Sequence, residues 1–112
     1  MRTKGHQSSA AVKRWMTQVA ESGSIVSGDS EVILHHCAGV TAKSNKVLVG
    51  PFWILPLTPQ EHDWIHRDLL RFKAEAFIWG DETRKEVEKM LFEQLVEKIG
   101  QGEMPDEVFE AI

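Results

Sequence analysis

Residues 54–67 have the sequence ILPLTPQEHDWIHR, in which a short apolar run leads directly into a complete helix start. Thr58 provides an N-cap side chain, a proline takes the first helical position, and Glu61 can close a capping box back onto Thr58. His62 and His66 lie four residues apart, so their side chains project from the same face of this helix. The stretch therefore predicts a helix that presents a pair of imidazoles.

A second histidine pair lies upstream, in the stretch EVILHHCAGV at residues 31–40. Its apolar run predicts a strand that ends on His35 and His36. Three neutral imidazoles, from His35 and the helix pair, would leave coordination positions open for water and a substrate oxygen, as in a catalytic metal site. His36 would then be free to move a proton, because an imidazole with a pKa near ~6.5 suits a general base at neutral pH.

Upstream of the histidines the sequence predicts a helix and a β-hairpin. The stretch SSAAVKRWMTQVAESG has apolar residues at helical spacing, with Ser8 or Ser9 as its N-cap and Gly23 as its end. Two β-branched runs follow, separated by the turn sequence Ser-Gly-Asp-Ser, which predicts strands near 24–27 and 31–36. We expect apolar side chains from both strands to pack against the first helix.

Downstream of the histidines the chain is mostly helical. A short extended piece is expected at 47–49, and the capped helix is expected to cover 58–72. The stretch KAEAFIWG at 73–80 predicts further helix, and a second capping box predicts a long helix over 83–100. One or two turns are expected in the acidic tail. The predicted class is α+β, with an N-terminal helix, a hairpin and C-terminal helices.

The composition is that of one globular domain spanning residues 1–112. Hydrophobic residues make up 42% and charged residues 27%, and no apolar run approaches the ~20 residues of a membrane span. A secretory leader is not expected, since no apolar segment follows the charged N-terminus. A single cysteine excludes an internal disulfide and any four-cysteine zinc site, which suits a reducing cytoplasm, the expected location.

The order of the histidine motifs resembles a known nuclease family. The strand end LHHCAG at residues 34–39 and the helix entry ILPLTPQEHDWIH at residues 54–66 resemble the ββα-metal finger of HNH endonucleases of the colicin-DNase type. They are more similar still to the phage Ref group of RecA-dependent nucleases, which share a Leu-His-His strand end and a Pro-Leu-x-x-x-x-His helix entry. The similarity covers roughly residues 10–70, and residues 71–112 would be a helical extension.

The resemblance implies a metal-dependent DNA endonuclease related to phage or prophage recombination and repair. Carried over residue by residue, it makes His35, His62 and His66 the ligands of one divalent ion, Mg²⁺, Mn²⁺ or Zn²⁺. His36 becomes the general base that activates water against a phosphodiester. DNA is the expected partner, and a RecA filament is a further partner implied by the Ref group alone.

Three basic residues near the histidines are candidates for contacts to DNA phosphates. Lys43 and Lys46 lie between the strand and the helix, and Arg67 follows the last histidine. The alternative is that these cations only keep the protein soluble. The net charge of −4 divides into +3 for residues 1–50 and −7 for the rest of the chain. This charge permits DNA binding without arguing for it.

Two features depart from the family pattern. HNH proteins usually carry an asparagine in the loop ahead of the first helix histidine, where this chain has Trp53, whose indole can only donate a hydrogen bond. The alternatives are a loop held by aromatic packing of Phe52 and Trp53, and a looser loop with weaker catalysis. Many relatives also carry zinc-knuckle cysteines in the first hairpin. This chain has Ser24 and Ser27 there, so we expect no structural zinc at that turn.

Cys37 leaves a second interpretation of the metal site open. Residues 35 and 37 of an extended strand share a face, so a Cys37 thiolate could complete a closed His3Cys structural zinc site. Otherwise Cys37 is a buried, inert thiol. Two alternatives to a nuclease also stand. One is a catalytically weak or inactive, metal-stabilised module of the same fold that binds DNA or protein. The other is a small α+β domain whose histidines are structural and hold no metal.

Overall fold

A computed structural model of the chain describes residues 2–37, 43–44, 47–48 and 50–112. Helices and short antiparallel strands form an α+β domain, so the predicted fold class is confirmed. In chain order the elements are α1 (Arg2–Glu21), β1 (Ile33–His36), β2 (Lys43–Ser44), β3 (Val47–Leu48), a 3₁₀ turn (Gly50–Phe52), β4 (Ile54–Leu57), α2 (Pro59–Arg67), α3 (Leu69–Glu75), α4 (Arg84–Ile99) and α5 (Glu107–Ala111).

The strand that carries the first histidine pair, β1, is paired with β4. The two strands are antiparallel, with Ile33 opposite Leu57 and His36 opposite Ile54. All four residues of β4 are buried, because this strand also contacts α1 and α4. The chain then passes directly from β4 into α2. A second, two-stranded ladder joins β2 to β3 in the connection between β1 and β4, where an extended piece was expected.

The predicted hairpin between 24–27 and 31–36 is wrong in its first strand. Ser24 N–H donates to the Asp29 carbonyl at 2.8 Å, and Ser24 Oγ accepts two backbone N–H groups of the same segment at 3.0 Å each. Such local bonds compete with strand pairing, and the segment is a turn. The apolar side chains of the two runs are therefore only partly covered, and Ile33 is 40% exposed.

The first helix starts earlier than its serines suggested. Helix α1 begins at Arg2, so the predicted cap at Ser8 or Ser9 is wrong. Serine in a helix interior costs only about half a kcal/mol relative to alanine, so the helical backbone can continue through both serines. The predicted end is close to the observed one, since α1 stops at Glu21 and Gly23 follows with a φ of 81°.

The helix predicted over 58–72 is divided in two. Asp68 leaves the helical conformation with a φ of −147°, and its carboxylate accepts a backbone N–H that caps α3. Helix in the 73–80 stretch ends at Glu75. The loop that follows is fastened to the helix by the buried Lys73, whose ammonium donates to two of its carbonyls at 2.9 and 3.0 Å.

Both predicted capping boxes are confirmed. Thr58 caps α2 and exchanges hydrogen bonds with Glu61, and Thr83 caps α4 and exchanges hydrogen bonds with Glu86. Gly100 ends α4 with a φ of 85°, as predicted. The turns expected in the acidic tail correspond to α5.

A single hydrophobic cluster joins elements from both ends of the described chain. It includes Trp15 of α1, all of β4 except its proline, Phe92 of α4, and Met104 and Val108 of the tail. The histidine-bearing strand and helix therefore rest on a core to which the C-terminal helices contribute. None of the described helices has the length and apolar character needed to cross a membrane.

Candidate metal centre

The two histidines of strand β1 differ in burial. His35 is 1% exposed, whereas His36 is exposed. His35 lies opposite Leu55 of the buried strand β4, so its imidazole enters the interior. The alternation of a strand thus separates the two imidazoles that the sequence places side by side.

The helix α2 brings the second histidine pair to His35. The Nε2 atoms of His62 and His66 lie 3.3 Å apart, and the His35 ring centroid lies 5.1 and 5.3 Å from the two helix rings. One nitrogen from each of the three rings falls within 4.8 Å of the others. The structure therefore brings together the three histidines that the sequence singled out as metal ligands.

The spacing of these nitrogens suits a divalent ion. Two nitrogens that each lie 2.0–2.1 Å from a tetrahedrally coordinated zinc stand about 3.3 Å apart. The two Nε2 atoms of α2 already have this separation. The helix backbone sets it, because residues four apart lie one turn above another.

The electrostatic surroundings keep the helix pair in its neutral form. Partial burial is the first cause that lowers the pKa of His62, followed by His35 and His66 beside it. Partial burial and then the Arg84 guanidinium lower the pKa of His66. A lowered pKa leaves more of each imidazole deprotonated at neutral pH, with a lone pair available to a cation.

Glu88 of α4 is a member of the cluster that the sequence analysis missed. Its Oε2 lies 2.6 Å from His35 Nε2, and its side chain is 0% exposed. The same Oε2 accepts a hydrogen bond from Arg84 Nε at 3.0 Å. A sequence signal for Glu88 does exist, since it lies three and four residues before the buried Leu91 and Phe92, on the apolar face of α4.

The second nitrogen of His35 has no hydrogen-bond partner among the described residues. Nδ1 is buried and accepts no hydrogen bond from any residue that the structure describes. A buried polar atom left in this condition is rare and costs about 1–3 kcal/mol. A cation held jointly by this nitrogen and the helix pair would satisfy it. The donor set of His35, His62 and His66 therefore fits a divalent metal ion.

Cys37 belongs to a different grouping from the three histidines. Its sulfur falls within 4.8 Å of ligand atoms of His35 and Glu88. Burial, and then the nearby Glu88 carboxylate, raise the pKa of the Cys37 thiol well above its usual range. A neutral thiol is a poor metal ligand, so the surroundings of Cys37 favour the inert thiol over the His3Cys site.

The aromatic residues of the loop before β4 are packed into the core. Phe52 and Trp53 are 1% and 0% exposed, and the Trp53 ring meets Phe92 edge-on at 5.0 Å. Trp15 Nε1 donates to the Phe52 carbonyl at 3.0 Å, and Cys37 N–H donates to the Trp53 carbonyl at 3.0 Å. Of the two alternatives for this loop, the structure has the one held by aromatic packing.

Of the three basic residues predicted to contact DNA phosphates, two lie within the described residues. Lys43 starts β2, and Lys46 lies outside the described residues. Arg67 ends α2 and is 80% exposed, with its Nε 3.1 Å from Asp63 of the same helix. This ion pair is open to solvent, so the guanidinium can exchange one anionic partner for another.

Comparison with protein-family models, with curated proteins and with solved structures found no match to this chain. What the protein does is therefore inferred from its own side chains.

Proposed function

We propose that this protein is a metal-dependent DNA endonuclease of the HNH type. The observation that carries the proposal is the cluster of His35 on β1 with His62 and His66 on α2. The buried Nδ1 of His35 in this cluster has no hydrogen-bond partner among the described residues. This order of elements supports a ββα-metal core formed by β1, β4 and α2. One divalent ion, Mg²⁺, Mn²⁺ or Zn²⁺, is the expected cofactor.

The three histidines would hold the ion on the side of β1 that faces α2. When bound, the ion supplies positive charge that stabilises the phosphodiester as negative charge develops on its oxygens. His35 is hydrogen-bonded to Glu88 through Nε2, and the backbone of α2 places His62 and His66 one turn apart. These contacts orient the three metal ligands. A different residue accepts the proton.

His36 is the residue that we assign to the proton. It is exposed at the end of β1, next to the His35 ligand, and a water molecule can reach it. Its imidazole accepts a proton from the water whose oxygen forms the new bond to phosphorus. The bond from phosphorus to the 3′ oxygen of the DNA breaks in the same displacement, and the departing 3′ oxygen takes up a proton from solvent water to become a hydroxyl. Arg67 and Lys43 are candidates to hold the flanking phosphates.

A nicking assay on supercoiled plasmid tests this proposal. The full chain is assayed with Mg²⁺, Mn²⁺, Zn²⁺ or Ni²⁺, with and without a RecA filament on the DNA. We expect nicking by the wild type and a loss of about 10²–10⁴-fold in His36→Ala, because a general base contributes that much. His36→Ala should still bind metal, since His36 is not one of the three clustered histidines. His6→Ala is the matched histidine control and should nick normally.

The same assay separates the alternatives. Nicking by His36→Ala at the wild-type rate would contradict its assignment as the base. A wild type that binds metal through the three histidines but nicks under none of these conditions would instead be a metal-stabilised module that binds DNA or protein. The buried Trp53, at the position where HNH proteins usually have asparagine, is the observation that favours this second candidate. A wild type that binds no metal would leave the histidines a structural role.

A further inference from the structure

We propose that Glu88 is a positioning residue of this centre, which holds His35 in the tautomer whose Nδ1 is free to bind the metal ion. This inference rests on the proposed metal site and deepens it. It adds an acidic residue from α4, outside the strand–strand–helix unit, to the three histidines.

The first step concerns the proton between the two side chains. His35 Nε2 and Glu88 Oε2 lie 2.6 Å apart, and both side chains are at most 1% exposed. The same Glu88 oxygen already accepts a hydrogen bond from Arg84, so we assign the hydrogen of the bond between Glu88 and His35 to Nε2. A metal ion binds an imidazole at a nitrogen that carries no proton, and with Nε2 bonded to Glu88 the nitrogen of His35 left for an ion is Nδ1.

The second step concerns what keeps Glu88 in this state. Arg84 lies one turn earlier on α4, and its Nε donates to the same Oε2 at 3.0 Å. The guanidinium side chain is 33% exposed, so it connects the buried carboxylate to solvent. A carboxylate buried without a charged partner would be strongly unfavourable. Arg84 therefore fixes Glu88 as an acceptor for His35.

The third step separates positioning from a purely structural ion pair. A histidine that served only to hold β1 against α4 could satisfy both of its ring nitrogens within the protein. In His35 only Nε2 is satisfied, and Nδ1 has no hydrogen-bond partner among the described residues. The ring lies 5.1 and 5.3 Å from the rings of His62 and His66. Histidine ligands of metals typically donate their other N–H to a carboxylate in this way.

The test compares Zn²⁺ affinity in the full chain, measured by competition with a chromophoric chelator. Glu88→Met removes the acceptor and keeps a side chain of similar size. Glu88→Gln keeps an acceptor oxygen and loses the charge. We expect Glu88→Met to bind Zn²⁺ about 10–100-fold more weakly, as for other residues that orient a metal-bound histidine. Glu88→Gln should lose less. Glu93→Met, an exposed change on the same helix, is the matched control and should bind as the wild type does.

Two further measurements distinguish positioning from stability. Thermal unfolding of the metal-free variants reports any loss of the fold, which a structural ion pair would dominate. Nitrogen NMR of the metal-free wild type reports directly which nitrogen of His35 carries the proton. We expect it on Nε2, and this measurement does not depend on whether a variant folds.

The outcomes are distinct for the two proposals. If the wild type binds Zn²⁺ through the three histidines and Glu88→Met binds equally tightly, the inference on Glu88 fails and the metal site stands. A His35 proton found on Nδ1 would also overturn the inference. If the wild type shows no Zn²⁺ binding that depends on His35, His62 and His66, the metal site fails and the inference fails with it.

Discussion

His35 differs in kind from the other two candidate ligands. It is 1% exposed, whereas His62 is half-buried and His66 is exposed. A buried imidazole is held by its packing and by Glu88, so its direction is set before any ion arrives. The helix pair is less buried, and its two rings lie side by side because the residues are one helical turn apart. We expect His35 to determine where an ion is bound, and the helix pair to complete the binding.

Cys37→Ser tests which side chains ligate the metal. We expect the Zn²⁺ affinity of this variant to equal that of the wild type. The Cys37 sulfur is grouped with His35 and Glu88 and not with the helix pair, and His35 and Glu88 are already bonded to each other at 2.6 Å. Burial also raises the pKa of the thiol. The measurement is the same chelator competition, repeated with Co²⁺, whose near-ultraviolet absorption reveals a thiolate ligand. Weaker Zn²⁺ binding together with loss of a thiolate band would establish the His3Cys site instead.

At the scale of elements, the start of α2 is the junction on which the site depends. Glu61 is 4% exposed, and its Oε1 accepts the Thr58 backbone N–H at 2.9 Å and the Ser24 hydroxyl at 2.6 Å. One carboxylate thus completes the capping box and fastens the turn after α1 to the helix. This bond network holds the turn at Ser24 against the start of α2.

Thr58→Ala is expected to lower the free energy of unfolding by about 1 kcal/mol, because the Glu61 backbone N–H at 3.1 Å loses its acceptor. Urea denaturation of the metal-free protein measures the change. Thr58→Ser keeps the hydroxyl and should restore most of the loss. Thr83→Ala, which removes the equivalent cap of α4, should cost a similar amount. An unchanged unfolding midpoint in Thr58→Ala would show that the cap does not stabilise α2 in solution.

At the scale of the whole molecule, the core is shared between the site and the C-terminal segment. Met104 and Val108 are 2% and 0% exposed, and they belong to the same cluster as Trp15 and the strand β4. The Phe92 ring meets Trp53 at 5.0 Å and Phe109 at 6.0 Å, so α4 lies between the loop before β4 and the tail. The stability of the histidine cluster is therefore coupled to the residues after α4.

Met104→Ala is expected to destabilise the protein by about 2–5 kcal/mol, since truncation of a buried methionine removes transfer free energy and leaves a cavity. Urea or thermal unfolding measures the loss. Met90→Ala is the matched control, because Met90 is 36% exposed on α4 and its truncation should cost less than about 1 kcal/mol. Equal effects of the two substitutions would contradict a core that includes the tail.

The features that were predictable from the sequence are local ones. A capping box joins residues three apart, and the histidines of α2 lie one turn apart, so the chain next to Thr58 contains all the information needed. The strand that ends on His36 and the long helix that ends at Gly100 are predictable for the same reason. His62 and His66 could be chosen as candidate ligands because their spacing of four residues is evident in the sequence and does not depend on the tertiary fold.

What only the tertiary structure decided depends on residues far apart in the chain. The runs before and after Gly28 predicted a hairpin, but β1 pairs with β4, since the buried run ILPL is a better apolar partner than a segment engaged with its own serine. Glu88 meets His35 across 53 positions. From the sequence alone, Glu88 cannot be distinguished from the other glutamates of α4 as a partner of His35. The packing of that helix against β4 buries it beside the His35 imidazole. The sequence by itself determined which groups were available, and tertiary packing decided which of them are buried, paired and left with a free nitrogen, because burial and pairing depend on contacts between distant elements.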